Sequence, residues 1–208
     1  MSKPLLSILI PTVVGRSESF WNLVEKLKKR ANIQDSRMRS NDYWAWNGVV
    51  EIFAIVDNKE MTIGEKREKL YTEANGVYSF MIDDDDDIAD GAIEKILEAI
   101  KQEPDCITFK EKCIIDGKYY ASNFSLKYDK WQDNFDGYAW VRTPFYKCVI
   151  KTEIAQQVPF EHIRYNEDER WANALKPFLK TEVHIDEEIY YYIHNSTPHH
   201  ERYGFDKD

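Results

Sequence analysis

Short apolar runs in this chain alternate with longer amphipathic stretches, a change of period that predicts strands alternating with helices. Residues 5–10, LLSILI, form a continuous apolar run between Pro4 and Pro11, as expected of a strand buried on both faces. Phe20, Val24, Leu27 and Ala31 then recur at helical spacing, with Ser17 placed to cap the helix and Lys28, Lys29 and Arg30 at its C-terminal end. Residues 32–48 are polar and then aromatic without a clean period, and read as a long loop of the kind that often carries function. Residues 49–56, VVEIFAIV, predict a second strand ending at Asp57. A helix over 62–74, closed by Asn75 and Gly76, leads to a third strand over 77–82 that runs into five consecutive aspartates. Residues 89–101 form the clearest helix, since Ile93, Ile96, Leu97 and Ile100 share one stripe, and 106–109 a fourth strand. Beyond residue 112 the pattern changes to short aromatic segments, 118–122 and 138–149, which read as hairpin strands over the sheet. A helix over 165–179, interrupted or ended by Pro177, and a last strand over 188–194 complete the series.

This order predicts an α/β fold with right-handed βαβ units, a mostly parallel central sheet and helices on both faces. Ligands of such sheets bind outside the C-terminal ends of the strands, which puts Thr12, Asp57 and the aspartates at 83–87 on one rim. No repeat or low-complexity linker divides the chain, so residues 1–208 read as one domain with a polar tail at 195–208 that could form a lid or fray.

With 43% hydrophobic residues the chain can bury a substantial core. No apolar run approaches the roughly 18 residues of a membrane span, and the start MSKPLL leads into a strand and not a signal peptide, so the expectation is a cytoplasmic protein. Cys106, Cys113 and Cys148 are widely spaced and form no CxxC pair, as expected of buried thiols. A net charge of −9 disfavours non-specific attraction to nucleic acid. Lys26, Lys28, Lys29, Arg30, Arg37 and Arg39 could still make a local basic patch, the competing reading being a solvated helix face.

Five adjacent carboxylates at a strand end repel one another unless cations or hydrogen-bond donors meet them. Mg2+ or Mn2+ suits such an open cluster, because each takes one or two carboxylates together with substrate phosphates. A calcium EF-hand does not fit: aligning Gly91 with the loop glycine places Ile88 and Leu97 where carboxylates belong. The bland alternative is a solvated turn in which Asp87 or Asp90 caps the next helix.

Taken in order, SILIPT at 7–12, the strand end at Asp57, IGEKREKLYTEANGVYSFMIDDDDD at 63–87 and NEDERW at 166–171 resemble the inverting nucleotide-sugar glycosyltransferases of family two, across most of the chain. The resemblance implies a GT-A fold, with 1–110 as the nucleotide-sugar-binding half and 111–194 as the acceptor side. It implies a nucleotide-sugar donor, UDP-linked in the first instance, a hydroxyl-bearing acceptor of unspecified class, and Mn2+ or Mg2+ as cofactor. Pro11, Thr12, Arg16, Asp57, Lys66, Arg67, Asp83 and Asp84 would then hold the donor. Lys66 and Arg67 would meet the diphosphate, or else be exposed helix charges beside Glu65 and Glu68. Asp85, with Asp83, would bind the metal, in a register open to a slip by one, and His194 would be an added ligand, with His199 and His200 as further candidates. Asp168 would be the general base and Glu167 its support, against the simpler reading of acidic residues at a helix start. Trp140 and Arg142 would touch the acceptor. A nucleotidyltransferase and a non-catalytic module binding a nucleotide-sugar or a cation stay as alternatives; the sparse VGR after the first strand disfavours the former and the acidic pair the latter.

Overall fold

A computed structural model describes residues 3–39, 41–163 and 165–195, the Arg39 side chain excepted. Strand β1 (Leu6–Val13) passes through a short 3-10 turn into helix α1 (Ser17–Arg30). A hairpin of β2 (Asp35–Arg39) and β3 (Asp42–Trp46) follows, then β4 (Val50–Asp57) and α2 (Ile63–Glu73). Next come β5 (Tyr78–Met81), the two-residue β6 (Asp87–Ile88) and α3 (Ala92–Ile100). The second half contributes β7 (Cys106–Ile115), β8 (Lys118–Phe124), β9 (Gln132–Phe135), β10 (Tyr138–Arg142) and β11 (Val149–Lys151). Two helices, α4 (Thr152–Ala155) and α5 (Glu167–Leu175), precede the long β12 (Glu182–His194).

Among the described residues one sheet runs in the order β2-β3-β4-β1-β5-β11-β7-β8-β10-β9, with β12 beside β7 and β6. Its centre is parallel: β1 lies between β4 and β5, and both neighbours run with it. The reversed strand β11 separates this unit from β7, to which β12 adds in parallel. Strands β1 and β4 are apolar on both faces because helices cover both, and their residues enter a core that extends without a break to Ile189 and Tyr190. All three cysteines are free and buried. No helix among the described residues is long and apolar enough to cross a membrane.

Several boundaries differ from the pattern reading, each for a local reason. The segment 32–48 is not a loop: it forms the β2–β3 edge hairpin, with Tyr43 and Ala45 buried between half-buried Asp42, Trp44 and Trp46. Ser17 does not cap α1; the preceding 3-10 turn makes Arg16 the N-cap and Ser17 the first helical residue. Helix α3 starts at Ala92 after Gly91, whose positive φ of 76° suits glycine, and no side chain of Asp87 or Asp90 caps it. Instead Asp87 accepts from Lys26 at 2.6 Å and Arg30 at 2.7 Å, so these two cations of α1 are committed to the aspartate run. Strand β7 continues to Ile115, the segment 138–149 divides into β10 and β11, and β12 begins six residues before the pattern suggested, at Glu182. Helix α5 starts at Glu167 and its last turn, Lys176–Phe178, tightens to 3-10 around Pro177.

Candidate active site

The ends of β1, β4 and β5 meet at one rim. Helix α2 begins there with a reciprocal cap, in which the Thr62 hydroxyl accepts from the Glu65 amide and the Glu65 carboxylate from the Thr62 amide. That cap sets the first turn, from which Lys66 and Arg67 point inward and are buried. Their alternative reading as exposed helix charges is therefore overturned. The Lys66 ammonium donates to Asp57 and to the Thr12 carbonyl, at 2.6 Å for the latter, and so ties the ends of β4 and β1 together. Burial alone would raise the Asp57 carboxyl; the Lys66 hydrogen bond, the Met61 amide and the Lys66 charge outweigh it and hold the group below its usual range.

Alternation along the strand exit sorts the five aspartates. Asp84 accepts from the Thr12 hydroxyl at 2.5 Å and from Arg16 at 2.7 Å, and lines a cavity of about 470 Å³ with Pro11, Arg16, Lys66 and Tyr165. Its burial pushes its carboxyl up to about 6 despite Arg16 and Thr12. Asp83 turns the other way, accepting from the Tyr146 hydroxyl at 2.8 Å and from Arg67 at 3.3 Å. Burial opposes its ionisation, but the Arg67 and Lys147 charges prevail and keep the carboxyl low. Asp86 is buried below the Tyr190 hydroxyl and the Ile193 amide, and desolvation pushes it up to about 7 even with Lys147 at 3.4 Å.

Asp85 is the open member: its side chain is 32% exposed and meets Arg16 at 3.3 Å. No three His, Cys, Asp or Glu side chains among the described residues converge as a closed metal cage. The donor set instead fits a cation that uses one protein carboxylate and completes its shell with substrate phosphate and water, the habit of Mg2+ and Mn2+. His194 ends β12 one residue beyond Ile193, and its ring stacks on Tyr192 with centroids 6.0 Å apart, on the side of the strand that faces the site. His199 and His200, with the rest of the proposed lid beyond Asn195, lie outside the described residues.

Across the rim, α5 opens with the acidic pair. Glu167 is buried and forms an ion pair with Arg67; burial raises its carboxyl although Arg67 opposes the shift. Asp168, the next residue, accepts from the Glu169 amide at 2.8 Å and faces a second cavity of about 370 Å³. Trp140 and Arg142 of β10 line that same cavity, with Trp131, Lys147 and Tyr192. Arg142 is already committed, however, to the Gln132 and Val141 carbonyls and to Asp133, and lies over the Trp131 ring. It shapes the wall more than it offers free donors.

Arg67 links the aspartate run to the acidic pair. One guanidinium nitrogen donates to Glu167, another to Asp83, and the plane lies 3.5 Å over the Tyr146 ring. Three groups of this site carry no motif in the sequence: Tyr146, Lys147 and Tyr165. Lys147 is buried between Asp86 and Glu111 and stands over both Tyr190 and Tyr192, an arrangement built by strands distant in sequence. Tyr165 is 82% exposed at the mouth of the first cavity, three residues before Asp168.

No known protein family and no curated protein matches the chain. Solved structures do match by shape. S. aureus TarS 1–349 in complex with UDP superposes with a TM-score of 0.63 over 90% of this chain, at 15% identity. The same TarS fragment with UDP-GlcNAc gives 0.63 at 13% identity. The fold is of the GT-A glycosyltransferase type. This GT-A chain spans about 60% of the TarS 1–349 length and 36% of another TarS chain, which it matches with a TM-score of 0.61.

Proposed function

We propose that this GT-A chain transfers a sugar from a UDP-sugar to a hydroxyl acceptor with inversion at the anomeric carbon. The observation that carries the reading is Arg67, which holds Asp83 of the donor rim and Glu167 of the acidic pair in one buried cluster. The 470 Å³ cavity takes the nucleotide, with Thr12, Arg16 and Asp84 at the ribose and Tyr165 at its mouth. Lys66 and Asp57 shape its floor, since each is occupied by the other. The 370 Å³ cavity takes the acceptor, with Trp140 as the aromatic face for a sugar or similar ring.

In this reading the acceptor hydroxyl attacks the anomeric carbon from the side opposite the diphosphate. A bond from acceptor oxygen to that carbon forms, the bond from the carbon to the diphosphate oxygen breaks, and Asp168 takes the hydroxyl proton. Glu167 keeps Asp168 in place through its pair with Arg67. Mn2+ or Mg2+, held by Asp85 with His194 as a second candidate ligand, would supply charge neutralisation at the departing diphosphate. TarS is solved with UDP and with UDP-GlcNAc, which makes UDP-GlcNAc the first donor to try.

The test is UDP release from a panel of UDP-sugars with Mn2+, in the wild type and in Asp168→Asn. Turnover that falls at least about a hundredfold in the folded variant supports the base assignment. Wild-type turnover in Asp168→Asn removes it. If no UDP-sugar is turned over while UDP still binds, a non-catalytic nucleotide-sugar module is the correct reading.

A further inference from the structure

The edge hairpin carries aromatic residues that neither the core nor the site just described employs. On β3, Tyr43 and Ala45 point inward, Tyr43 against Phe20 and Trp21 of α1, so Asp42, Trp44 and Trp46 share the opposite face. Trp44 pairs across the sheet with Phe53 and Arg37, and Trp46 with Glu51 and Asp35. The Trp44 ring lies nearly flat on Phe53, centroids 4.0 Å apart at 22°, which packs one indole face. With Glu73, Ala74 and Asn75 at the end of α2, this row encloses a groove of about 1100 Å³. It lies at the β2–β3 edge, whereas the acceptor cavity lies toward the β10–β9 edge.

We propose that this groove binds a neutral glycan. Two observations select that chemistry. The floor is aromatic, and two side chains two residues apart on a strand stand about 7 Å from each other, a span for neighbouring rings of an extended chain. The charged lining has carboxylates in excess, Asp35, Asp42, Glu51 and Glu73 against Lys3 and Arg37, which disfavours a polyanion and offers acceptors to hydroxyl groups. A pyranose satisfies both: its C–H face stacks on indole while its equatorial hydroxyls donate to carboxylates. Arg37 over Trp46, 5.9 Å from the ring centroid, closes one end of the row. For a transferase acting on a long glycan, such a groove would hold the chain at a second point and raise the local concentration of its growing end. That last role rests on the glycosyltransferase reading; binding of a glycan in the groove does not.

The experiment titrates the full chain with cellotetraose, chitotetraose and maltotetraose, following tryptophan fluorescence and calorimetry. At least one should saturate, with binding weakened about tenfold in Trp46→Ala. The Trp46-sensitive binding should persist in Trp140→Ala, and UDP binding should be unchanged in Trp46→Ala. If Trp46→Ala loses its native circular dichroism, the rim variants Asp35→Lys and Glu73→Lys report in its place, and each should weaken the same saccharide. Failure of all three saccharides to saturate overturns the proposal. So does binding that survives Trp46→Ala and the rim variants but disappears in Trp140→Ala, or an oligolysine peptide that binds the groove where the saccharides do not. Saccharide binding without UDP-sugar turnover would sustain the groove while removing the transferase reading.

Discussion

Arg67 and Glu167, one hundred residues apart in the chain, form an ion pair buried between the donor rim and the start of α5. A charge pair removed from water is weak evidence for stability, but breaking it from one side is costly because the partner stays buried and uncompensated. Arg67→Met leaves both Glu167 and Asp83 in that position, and should destabilise by about 3–5 kcal/mol in urea unfolding. Arg67→Lys should recover only part of this, since a point charge cannot bridge two carboxylates as the planar fork does. A loss below about 1 kcal/mol in Arg67→Met would mean the pair is no more than a surface-type contact.

Gly64 lies in the first turn of α2, and a Cβ there would collide with the carbonyl oxygen of Glu161, on the segment that leads to the acidic pair. Gly64→Ala should therefore displace that segment at a cost of about 1–3 kcal/mol. Turnover should fall more than donor affinity does, because the displaced segment carries Asp168. Unchanged stability and turnover in Gly64→Ala would show that the contact is not held in solution.

The depressed Asp57 carboxyl makes a pH prediction with a definite sign. Its folded value lies below the unfolded value of about 3.9, so the unfolded chain binds the extra proton first. The stabilisation is complete above that unfolded value and is lost as pH falls through the folded one. Urea midpoints of wild type and Asp57→Asn, compared from pH 7 downward, should differ most at neutral pH and converge below about pH 4. A difference that is constant across this range would contradict the Lys66–Asp57 account.

Trp140 lines the cavity that Asp168 faces, whereas Asp84 lines the other. Once an acceptor is in hand, Trp140→Ala should raise its KM about tenfold with donor KM unchanged, the stacking contact being lost on one side only. A change in donor KM instead would exchange the assignments of the two cavities.

The central βαβ frame was legible because strands 49–56 and 77–82 are covered on both faces and so read as continuous apolar runs. The β2–β3 hairpin was hidden by its outer face: Trp44 and Trp46 interrupt what would otherwise be a polar and apolar alternation with Tyr43 and Ala45. The first half of β12 was missed for the opposite reason, since Glu182, Asp186 and Glu187 give it a polar aspect although it pairs along β7. Thr12 and Asp84 were legible as rim residues from the strand ends, whereas Arg16 and the placing of Trp140 on the side of Asp168 came from the resemblance. Lys66 and Arg67 were ambiguous, because neighbouring Glu65 and Glu68 suit an exposed helix equally; only the packing of α2 turns the two cations inward. The roles of five adjacent aspartates could not be read from the run itself, since their differences come from Thr12, Arg16, Arg67, Tyr146 and Tyr190 in other elements.

The central claim is a nucleotide-diphosphate site built on the rim of β1, β4 and β5 and opened to metal at Asp85. Thermal unfolding of the wild type and Asp85→Ala with UDP, with and without Mn2+, tests it most directly, because a ligand bound only by the folded chain raises its apparent stability. The account predicts a UDP-dependent rise in Tm that Mn2+ enlarges and that Asp85→Ala loses in its Mn2+-dependent part. No rise with UDP under either condition would contradict it.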